Sequence, residues 1–310
     1  MNTTFDLIII GAGPAGVAAG VYAARKELKT LLVTKDFESQ SIVSPQIENW
    51  IGTIAISGTE LAQNLQKHLE AYQGENLQIL QQQIVTALKK NNDLFEITTD
   101  KNEIYLAKTI LIATGSQRRK LKAIGAERLE HKGLTYCATC DGPLYRNKDV
   151  VVIGGGNAGF ESAAQLAAYA NSVTILHRGP DFKADEITVK KLLANPKIKA
   201  LTNVETLEIQ GKNVVEGIIY QDKNTSETTT LKIQGVFVEI GAMPNTAFAK
   251  ELVPSNEIGA IITDPRNQQS QIPGVWSAGD CTDGLYHQNN IAAGDAVKAL
   301  EDIYNFLHTK

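Results

Sequence analysis

A short glycine pattern that occurs twice constrains this chain more than any other feature. The stretch Asp6–Gly16 reads DLIIIGAGPAG, and the stretch Asp149–Gly159 reads DVVVIGGGNAG. Each is an apolar run typical of a buried strand, followed by G-x-G-x-x-G and by an alanine-rich stretch typical of a helix. In this context the glycines permit a tight turn and let the backbone approach a pyrophosphate closely. The helix that follows offers free N–H groups and the positive end of its dipole.

A single copy would be weak support, because tight strand-to-helix turns use glycine whether or not they bind a ligand. Two copies, each behind a strand, predict two dinucleotide sites, most simply one for a flavin and one for a nicotinamide. The predicted fold class is therefore α/β. We expect two Rossmann-like dinucleotide-binding domains of the three-layer ββα type, the second inserted in the first.

A Cys-x-x-Cys motif, Cys137 and Cys140, lies between the two glycine patterns. Zinc would need a second pair of ligands, but the only other cysteine is Cys281 and the histidines form no H-x-H or H-x-x-H pair. A structural disulfide is an alternative, although one bridge adds little to a core of this size. A redox-active dithiol fits best, because close pairing lowers the pKa of one thiol and lets the pair cycle. We expect no metal site.

Composition limits the function classes. The 310 residues allow about two domains, and 43% hydrophobic and 21% charged residues are ordinary for a soluble globular protein. A net charge of −4 gives no case for nucleic acid or an anionic membrane as a partner. No apolar run approaches the ~20 residues of a membrane span, and the N-terminus lacks the basic region of a signal peptide. Sparse cysteine use favours the reducing cytoplasm.

Alternating strand and helix patterns run along the chain. In the first part they predict strands at 5–10, 30–34, within 77–99, at 104–105 and at 109–113, with helices at 14–26 and 58–73. From residue 149 the pattern restarts, with strands at 172–176 and 235–240, a β-meander with a polar turn at 222–230, and a final helix at 288–307. The basic run Arg118–Lys120 and the stretch Met243–Asn245 are the expected crossings between domains. The predicted flavin domain is therefore 1–117 with 245–310, and the predicted nicotinamide domain, which carries the Cys-x-x-Cys motif, is 118–244.

The motifs resemble those of the low-molecular-weight thioredoxin reductases, from about residue 5 to residue 307. The shared motifs occur in the same order and are the paired glycine patterns, Ala113-Thr114-Gly115, the CATCDG stretch Cys137–Gly142, Ile240-Gly241-x-x-Pro244-Asn245-Thr246 and Ala278-Gly279-Asp280. The chain is also similar to the core of the flavoprotein subunit of alkyl hydroperoxide reductase. The resemblance implies FAD in the outer domain, NAD(P)H in the inserted domain, a homodimer, and a thioredoxin-like protein as the partner.

The resemblance also implies an FAD site. The residues expected to bind FAD are Gly11, Gly13, Pro14, Ala15, Gly16, Thr34, Gln40, Asn49, Val85, Ala113, Thr114, Gly115, Gly279, Asp280, His287, Gln288 and Asn289. Asp280 matches a family aspartate that hydrogen-bonds to the ribityl chain of FAD or near its pyrophosphate. Its alternative role is that of a helix N-cap. Gln288 and Asn289 open the final helix, whose N-terminus can stabilise negative charge on a reduced flavin.

For the dithiol, the family pattern makes Cys140 the flavin-proximal sulfur and Cys137 the interchange thiol. Asp141 matches the family acid that would protonate the departing thiolate. Its alternative role is that of a turn-forming aspartate before Gly142-Pro143. We interpret Cys281 as a small buried core residue.

The second domain is expected to hold NADPH, with NADH as the alternative. The expected binding residues are Gly154, Gly156, Asn157, Ala158, Glu161, His177, Arg178, Lys183, Ile240 and Gly241. NADPH-type reductases carry His-Arg-Arg and a later Arg after the second strand, whereas this chain has His177-Arg178-Gly179 and Lys183. Two cations without an acid favour the 2′-phosphate of NADPH, while Lys183-Ala184-Asp185 resembles the NADH-using relative.

Three functions remain open. The first, which we favour, is a thioredoxin-disulfide reductase that passes electrons from NADPH through FAD and the Cys137–Cys140 disulfide. The second is an NADH-dependent reductase of a peroxiredoxin system, of the alkyl hydroperoxide reductase type. The third is a flavin reductase or oxidase, or a ferredoxin-fed flavin disulfide reductase. The third is favoured if neither nicotinamide binds, and His287, where the family usually has Arg or Lys, is a departure in that direction.

Overall fold

A computed structural model describes residues 4–44 and 46–309 of the chain. The helices are α1 (Pro14–Arg25), α2 (Gly58–Glu70), α3 (Ala126–Leu129), α4 (Ala138–Asp141), α5 (Asn157–Ala167), α6 (Glu186–Leu193) and α7 (Asn289–His308). The strands are β1 (Thr4–Ile10), β2 (Thr30–Val33), β3 (Leu77–Leu80), β4 (Val85–Asn91), β5 (Leu94–Thr99), β6 (Ile104–Ile112), β7 (Ser116–Arg118), β8 (Leu134–Thr135), β9 (Asp149–Ile153), β10 (Ser172–Leu176), β11 (Ile198–Leu201), β12 (Val204–Gln210), β13 (Gly217–Asp222), β14 (Thr228–Lys232), β15 (Gly235–Val238), β16 (Ala242–Pro244) and β17 (Val275–Ser277).

The chain divides into two compact units. The first unit comprises the described residues up to Gln117 and those from Met243 onward, and the second unit is Arg118–Ala242. Each crossing lies within a short strand, β7 or β16. Which cofactor each unit takes stays a prediction at this point.

The first unit is built on a seven-stranded sheet in the order β3-β2-β1-β6-β5-β4, with β17 also paired to β6. Strands β1, β2, β3 and β17 run parallel to their neighbours, whereas β4 and β5 are antiparallel. One face packs on α1 and α7 through residues such as Leu7, Ala19 and Leu300. The other face buries Ile8, Phe95 and further apolar residues in a second core. Helices therefore cover one face of this sheet, as the α/β prediction requires.

Strand β6 corrects one sequence expectation. The sequence indicated two short strands at 104–105 and 109–113, but the structure has one strand, Ile104–Ile112. The expected gap, residues 106–108, includes Lys108, which is exposed and forms an ion pair of 2.8 Å with Asp6 of the neighbouring β1. A charged residue therefore fits within this strand because its side chain is solvated and paired.

The second unit repeats the layered plan. Its main sheet is parallel throughout, in the order β11-β10-β9-β15-β8. Helix α5 packs on one face through Phe160 and Leu166. A separate antiparallel sheet, β12-β13-β14, contributes Ile209 and Ile218 to the core on the opposite face. These layers are one helical and two β, which confirms the predicted ββα arrangement.

The elements of the second unit that were not predicted include α3, β8, α4, α6 and β11. Helix α6 begins after Asp185, whose Oδ1 accepts hydrogen bonds from the backbone N–H groups of Ile187 and Thr188 at 3.0 and 3.1 Å. That N-cap was predictable from the sequence as an aspartate before an acidic first turn. Strand β11 is short and half-exposed, so its pattern is weak. No helix in the described part of the chain has both the length and the apolar character to span a membrane.

Candidate dinucleotide and dithiol sites

The first glycine turn joins β1 to α1 and has no room for side chains at two positions. Gly11 has φ +106°, and a Cβ there would lie 2.4 Å from the carbonyl oxygen of Ala113. A Cβ on Gly16 would lie 1.9 Å from the carbonyl oxygen of Gly11. Gly13 differs, because the nearest atom to its Cβ position is 3.9 Å away. Gly11 and Gly16 therefore hold the turn together, while Gly13 leaves open space at the helix N-terminus.

Helix α1 begins without a side-chain cap, at Gly13, and has no acidic residue in its first turn. Helix α7 also begins without a side-chain cap, at Gln288. The first N–H groups of a helix need acceptors, and an anionic or polar ligand can supply them. Gly279, with φ +77°, places the end of β17 against both helices: a Cβ there would lie 3.0 Å from Ala292 Cβ and 3.5 Å from Ala15 Cβ.

Polar side chains predicted for the FAD site form two groups of interacting residues in the first unit. Gln40 Nε2 donates to Asp280 Oδ2 at 3.2 Å and to Ser116 Oγ at 3.1 Å. Asp280 Oδ1 lies 3.5 Å from His287 Nδ1. Asn49 Nδ2 donates to Gln288 Oε1 at 3.1 Å. Gln40 is thus held beside Asp280 and His287 although it lies 240 residues before Asp280 in the sequence.

The other predicted FAD residues are dispersed through the same unit. Asn289 Nδ2 donates to Ser41 Oγ at 2.9 Å, beside the start of α7. Thr34 is buried and its hydroxyl donates to the carbonyl of Asp36 at 2.5 Å. Among the described residues, the buried Thr114 Oγ1 has no hydrogen-bond partner. Gly115 has φ +63° with no atom within 4 Å of its Cβ position, and Val85 is buried in the core at the start of β4.

The second glycine turn, between β9 and α5, repeats the first. Gly154 has φ +135°, and a Cβ there would lie 2.1 Å from the carbonyl oxygen of Glu239. A Cβ on Gly159 would lie 2.1 Å from the carbonyl oxygen of Gly154. Gly156 has no atom within 4 Å of its Cβ position and starts α5 without a side-chain cap. The same division holds, with two glycines required by packing and one beside open space.

His177 lies inside the loop that follows β10. Its ring is buried and its Nε2 lies 2.9 Å from the carbonyl oxygen of Asp181. A Cβ on Gly155 would lie 2.5 Å from the ring, and a Cβ on Gly179 would lie 2.8 Å from Nε2. His177 is therefore packed between two glycines and fixes the shape of this loop.

Three cationic side chains surround the same loop. Arg178 and Lys183 are exposed, and the backbone N–H of Lys183 donates to the carbonyl of Gly155 at 2.7 Å. Lys223, from the turn after β13, donates through Nζ to the carbonyl oxygen of Arg178 at 3.3 Å. None of the three forms an ion pair with a carboxylate of the described residues at 4.0 Å or less. The sequence reasoning missed Lys223, because its contact depends on the pairing of β12 with β13.

A buried acid lies at the carboxyl end of β15. Ser162 Oγ on α5 donates to Glu239 Oε1 at 2.7 Å, and Arg118 Nη1 lies 3.6 Å from Oε2. Burial raises the pKa of Glu239, which Ser162 and Arg118 oppose and Glu161 reinforces. Next in the chain, Gly241 has φ +98°. The other predicted residues of this edge are Asn157, whose Oδ1 accepts from Asp185 N–H at 2.9 Å, the exposed Ala158 and Glu161, and the half-buried Ile240.

Cys137 and Cys140 form a disulfide with Cα atoms 5.3 Å apart. Cys137 is the N-cap of the single-turn helix α4, and the backbone N–H of Cys140 lies 3.1 Å from Cys137 Sγ. Neither cysteine is fully buried. Cys281 is fully buried, as predicted for a small core residue, and burial raises the pKa of its thiol.

Asp141 ends α4, directly after the disulfide. Its backbone N–H donates to the carbonyl of Cys137 at 3.1 Å. Thr135 Oγ1 donates to Asp141 Oδ2, whereas Oδ1 is buried and has no partner within the described part of the chain. Burial raises the pKa of Asp141, which the Thr135 hydrogen bond and the charge of His131 oppose. Thr135 is a second residue that the sequence reasoning missed.

The residues present fit both dinucleotides. Gly13 and Gly156 leave open space at uncapped helix N-termini, which is what a pyrophosphate requires. The unpartnered Thr114 hydroxyl and the Gln40–Asp280 pair supply polar groups for a bound flavin. The exposed cations beside His177 suit a phosphorylated ribose.

Known proteins share this architecture. The sequence matches the pyridine nucleotide-disulphide oxidoreductase family over residues 5–296. Thioredoxin reductases from Streptococcus pyogenes and Giardia duodenalis have similar structures, with TM-scores of 0.91 and 0.92 and identities of 33% and 32%. The first comparison covers 100% of both chains and the second 99% of both.

Curated relatives are longer than this chain. A Bacillus subtilis protein named NADH dehydrogenase is 39% identical over 303 residues, which is 98% of this chain and 58% of the relative. A Staphylococcus aureus protein named as a component of alkyl hydroperoxide reductase is 37% identical, over 98% of this chain and 59% of the relative. The chain thus spans less than two thirds of the length of these relatives.

Proposed function

Because the chain belongs to the pyridine nucleotide-disulphide oxidoreductase family, we propose that it reduces the disulfide of a thioredoxin-like protein through Cys137 and Cys140. The observation that carries this proposal is the Cys137–Cys140 disulfide, which lies in a unit that has its own dinucleotide-type glycine turn. Neither cysteine is fully buried, which leaves the pair open to the disulfide of a partner protein. We also propose a cytoplasmic homodimer, for which the expected mass in light scattering is twice the 33.6 kDa of one chain.

The family uses FAD and NAD(P)H. FAD, when bound, takes a hydride from the nicotinamide and supplies an electron pair for a disulfide. In the first unit, Gly11, Gly13 and Gly16 would cradle its pyrophosphate, and Asp280 would accept a hydrogen bond from a ribityl hydroxyl. The uncapped N-terminus of α7 would stabilise negative charge on the ring system.

Three residues at the disulfide have separate roles in the proposed reaction. Cys140 would be the sulfur that exchanges electrons with the flavin, and Cys137 would be the interchange thiol that attacks the partner disulfide. Asp141 gives a proton to the departing thiolate. Its buried carboxyl suits that role because burial favours the neutral, proton-carrying form.

We propose NADPH as the preferred donor. Its 2′-phosphate carries about two negative charges near pH 7. Arg178 and Lys183 supply positive charge at the loop after β10, and Lys223 adds a third cation beside Arg178. Lys223 would replace the charge that the His-Arg-Arg pattern carries at position 179, where this chain has glycine.

The second candidate is an NADH-dependent reductase of a peroxiredoxin system. It is favoured by the two relatives named for NADH and for alkyl hydroperoxide reductase, and by the Lys183-Ala184-Asp185 sequence. Under this hypothesis Asp185 does not bind ribose, because its carboxylate already caps α6. The partner would then be a small redoxin that delivers electrons to a peroxiredoxin.

An anaerobic titration separates these candidates. The FAD-loaded protein is titrated with NADPH and with NADH in separate cuvettes, and the flavin absorbance reports reduction. Oxidised thioredoxin is then added, and reoxidation of the flavin is recorded. We expect reduction by NADPH at lower concentration than by NADH, and rapid reoxidation by thioredoxin. Preference for NADH would favour the second candidate, and reduction by neither would favour a ferredoxin-type donor.

A further inference from the structure

We propose that Thr135 is a positioning residue for Asp141: its hydroxyl holds one carboxyl oxygen and so fixes the transferable proton on the other. This inference rests on the proposed disulfide reduction, in which Asp141 is the acid. Nothing in the sequence motif assigns a role to Thr135. A residue that positions another must first be firmly held itself.

Thr135 is anchored by a sheet. It is the second residue of β8, which pairs in parallel with β15 so that Thr135 lies opposite Phe237. Its side chain is buried, with 6% of the residue exposed. Threonine is also β-branched and has few side-chain rotamers. The hydroxyl therefore has a fixed place relative to Cys137, two residues later in the chain.

The hydrogen bonds around this hydroxyl have a defined direction. The backbone N–H of Cys137 donates to Thr135 Oγ1 at 3.4 Å. With that lone pair in use, the single hydroxyl proton points to Asp141 Oδ2. A short chain therefore runs from the peptide of the interchange cysteine, through Thr135, to the acid.

The other carboxyl oxygen carries the proton. Asp141 Oδ1 is buried and has no hydrogen-bond partner among the residues described. A neutral carboxyl group has one proton and, with Oδ2 occupied as an acceptor, that proton lies on Oδ1. A buried carboxylate oxygen without a hydrogen-bond partner would destabilise the folded protein. A protonated oxygen there is neutral and is available to transfer its proton.

Atoms and electrons balance in the proposed step. NAD(P)H supplies a hydride, which amounts to two electrons and one proton. The two electrons break the Cys137–Cys140 sulfur–sulfur bond, and the proton is released to solvent. The Oδ1–H bond of Asp141 breaks and an S–H bond forms on Cys137, so that Cys140 keeps the remaining negative charge. The new carboxylate is stabilised by the Thr135 hydroxyl until it takes a proton from water.

Two other ionisable groups act on Asp141. His131, just before β8, interacts with it electrostatically and favours the carboxylate. Tyr145, in the 3-10 turn Gly142–Tyr145, is held neutral because burial, reinforced by Asp141, raises its pKa to about 12. His131 is therefore the group whose contribution must be removed before a pH profile can be assigned to Asp141.

The test compares Thr135→Val with Thr135→Ser in the FAD-loaded protein, each also in a His131→Gln background. Valine keeps the shape and the strand preference but removes the hydroxyl, while serine restores it. The pKa of Asp141 is read by carbon NMR of the oxidised protein labelled at aspartate carboxyl carbons, with Asp141→Asn identifying its resonance. The pH profile of thioredoxin reduction is measured in parallel.

We expect Thr135→Val to raise the pKa of Asp141 by about one unit, because the carboxylate loses a stabilising donor. The basic limb of the pH profile should move to higher pH with it. Turnover should still fall about tenfold at neutral pH, because the proton of Asp141 is no longer held in place; this loss is a fraction of what general acids contribute. Thr135→Ser should restore both. If Thr135→Val lowers turnover but leaves the pKa of Asp141 and the basic limb of the pH profile unchanged, Thr135 has only a packing role. That result would overturn the proposal. If Asp141→Asn leaves turnover and pH profile intact, the acid role itself fails, which is a distinguishable result.

Discussion

At the scale of single residues, the two cysteines have separable roles. Replacing Cys137 or Cys140 by serine should abolish reduction of a protein disulfide, because electrons can then no longer leave through the pair. Reduction of the flavin by NAD(P)H should continue in both variants, since hydride transfer needs no thiol. Stopped-flow absorbance and a coupled thioredoxin assay measure the two activities. Thioredoxin reduction that persists in either variant would contradict the dithiol assignment.

The same variants distinguish the two sulfurs. With Cys137 removed, a free Cys140 thiolate beside the flavin should produce a long-wavelength absorption band. With Cys140 removed, the band should be absent. The opposite pattern would exchange the roles of the two cysteines.

Coenzyme choice also depends on a few side chains. A well-placed charge-assisted contact to a phosphate is worth ~1.5–3 kcal/mol, and ~1.36 kcal/mol corresponds to a factor of ten. We therefore expect wild type to prefer NADPH over NADH by roughly ten- to a hundredfold in kcat/KM. Arg178→Glu should lower or reverse that ratio, because a carboxylate repels the 2′-phosphate and can bond to a 2′-hydroxyl.

Lys223 provides a finer test of the same site. Because it is exposed, Lys223→Met should lower kcat/KM for NADPH only about three- to fivefold, within the range of solvent-exposed charge pairs, and should leave NADH unaffected. Lys232→Met, on the exposed side of the same small sheet, is the matched control and should change neither value. Equal losses with both coenzymes would mean that Lys223 shapes the loop without contacting phosphate.

At the scale of elements, the two glycine turns make a prediction about which glycines bind and which pack. Gly13→Ala should fold normally, because its new Cβ has no atom closer than 3.9 Å, but should weaken FAD binding at least tenfold by filling the pyrophosphate space. Gly16→Ala should destabilise the protein itself, because its Cβ would lie 1.9 Å from the Gly11 carbonyl oxygen. Melting of the FAD-free proteins and titration with FAD separate these effects. Wild-type affinity in Gly13→Ala would argue against this turn as the pyrophosphate site.

How far the sequence could predict this structure depends on the range of the interactions. The glycine turns were predictable, because the steric demand at Gly16 or Gly159 comes from the carbonyl of the first glycine in the same strand–turn–helix unit. The contacts of Thr135 with Asp141 and of Lys223 with Arg178 were not, because each depends on how separate segments meet. Lys223 lies 45 residues after Arg178, and no local pattern records their approach. The single strand β6 was missed for a similar reason, since its neighbour Asp6 neutralises Lys108.

At the scale of the whole molecule, buried acids make stability depend on pH. The pKa of Asp141 is raised in the folded state, so the folded protein binds its proton more tightly than the unfolded chain does. Stability from this group is therefore present at acidic pH and is lost as the pH rises through its folded-state pKa. Asp141→Asn should melt at a higher temperature than wild type at pH 8, and this difference should shrink towards pH 4.5.

The matched control for that prediction is Asp93→Asn in the exposed turn between β4 and β5. Its melting temperature relative to wild type should not vary with pH in the same way. Differential scanning calorimetry over the pH range decides the matter. A constant difference for Asp141→Asn would mean that its carboxyl is not held in a proton-retaining environment.

The packing of His177 between Gly155 and Gly179 restricts how this protein can evolve. An arginine at position 179 would place its Cβ 2.8 Å from Nε2 of the His177 ring, which is buried and hydrogen-bonded to the carbonyl of Asp181. The His-Arg-Arg pattern of NADPH-type reductases shows that both side chains can be accommodated, so the His177 ring must turn before position 179 can take arginine. Mutations at 178, 183 and 223 meet no such barrier, so changes of electron donor should accumulate there first. Substitutions at this site are therefore expected in a preferred order, with position 179 last, because of the packing of the His177 ring.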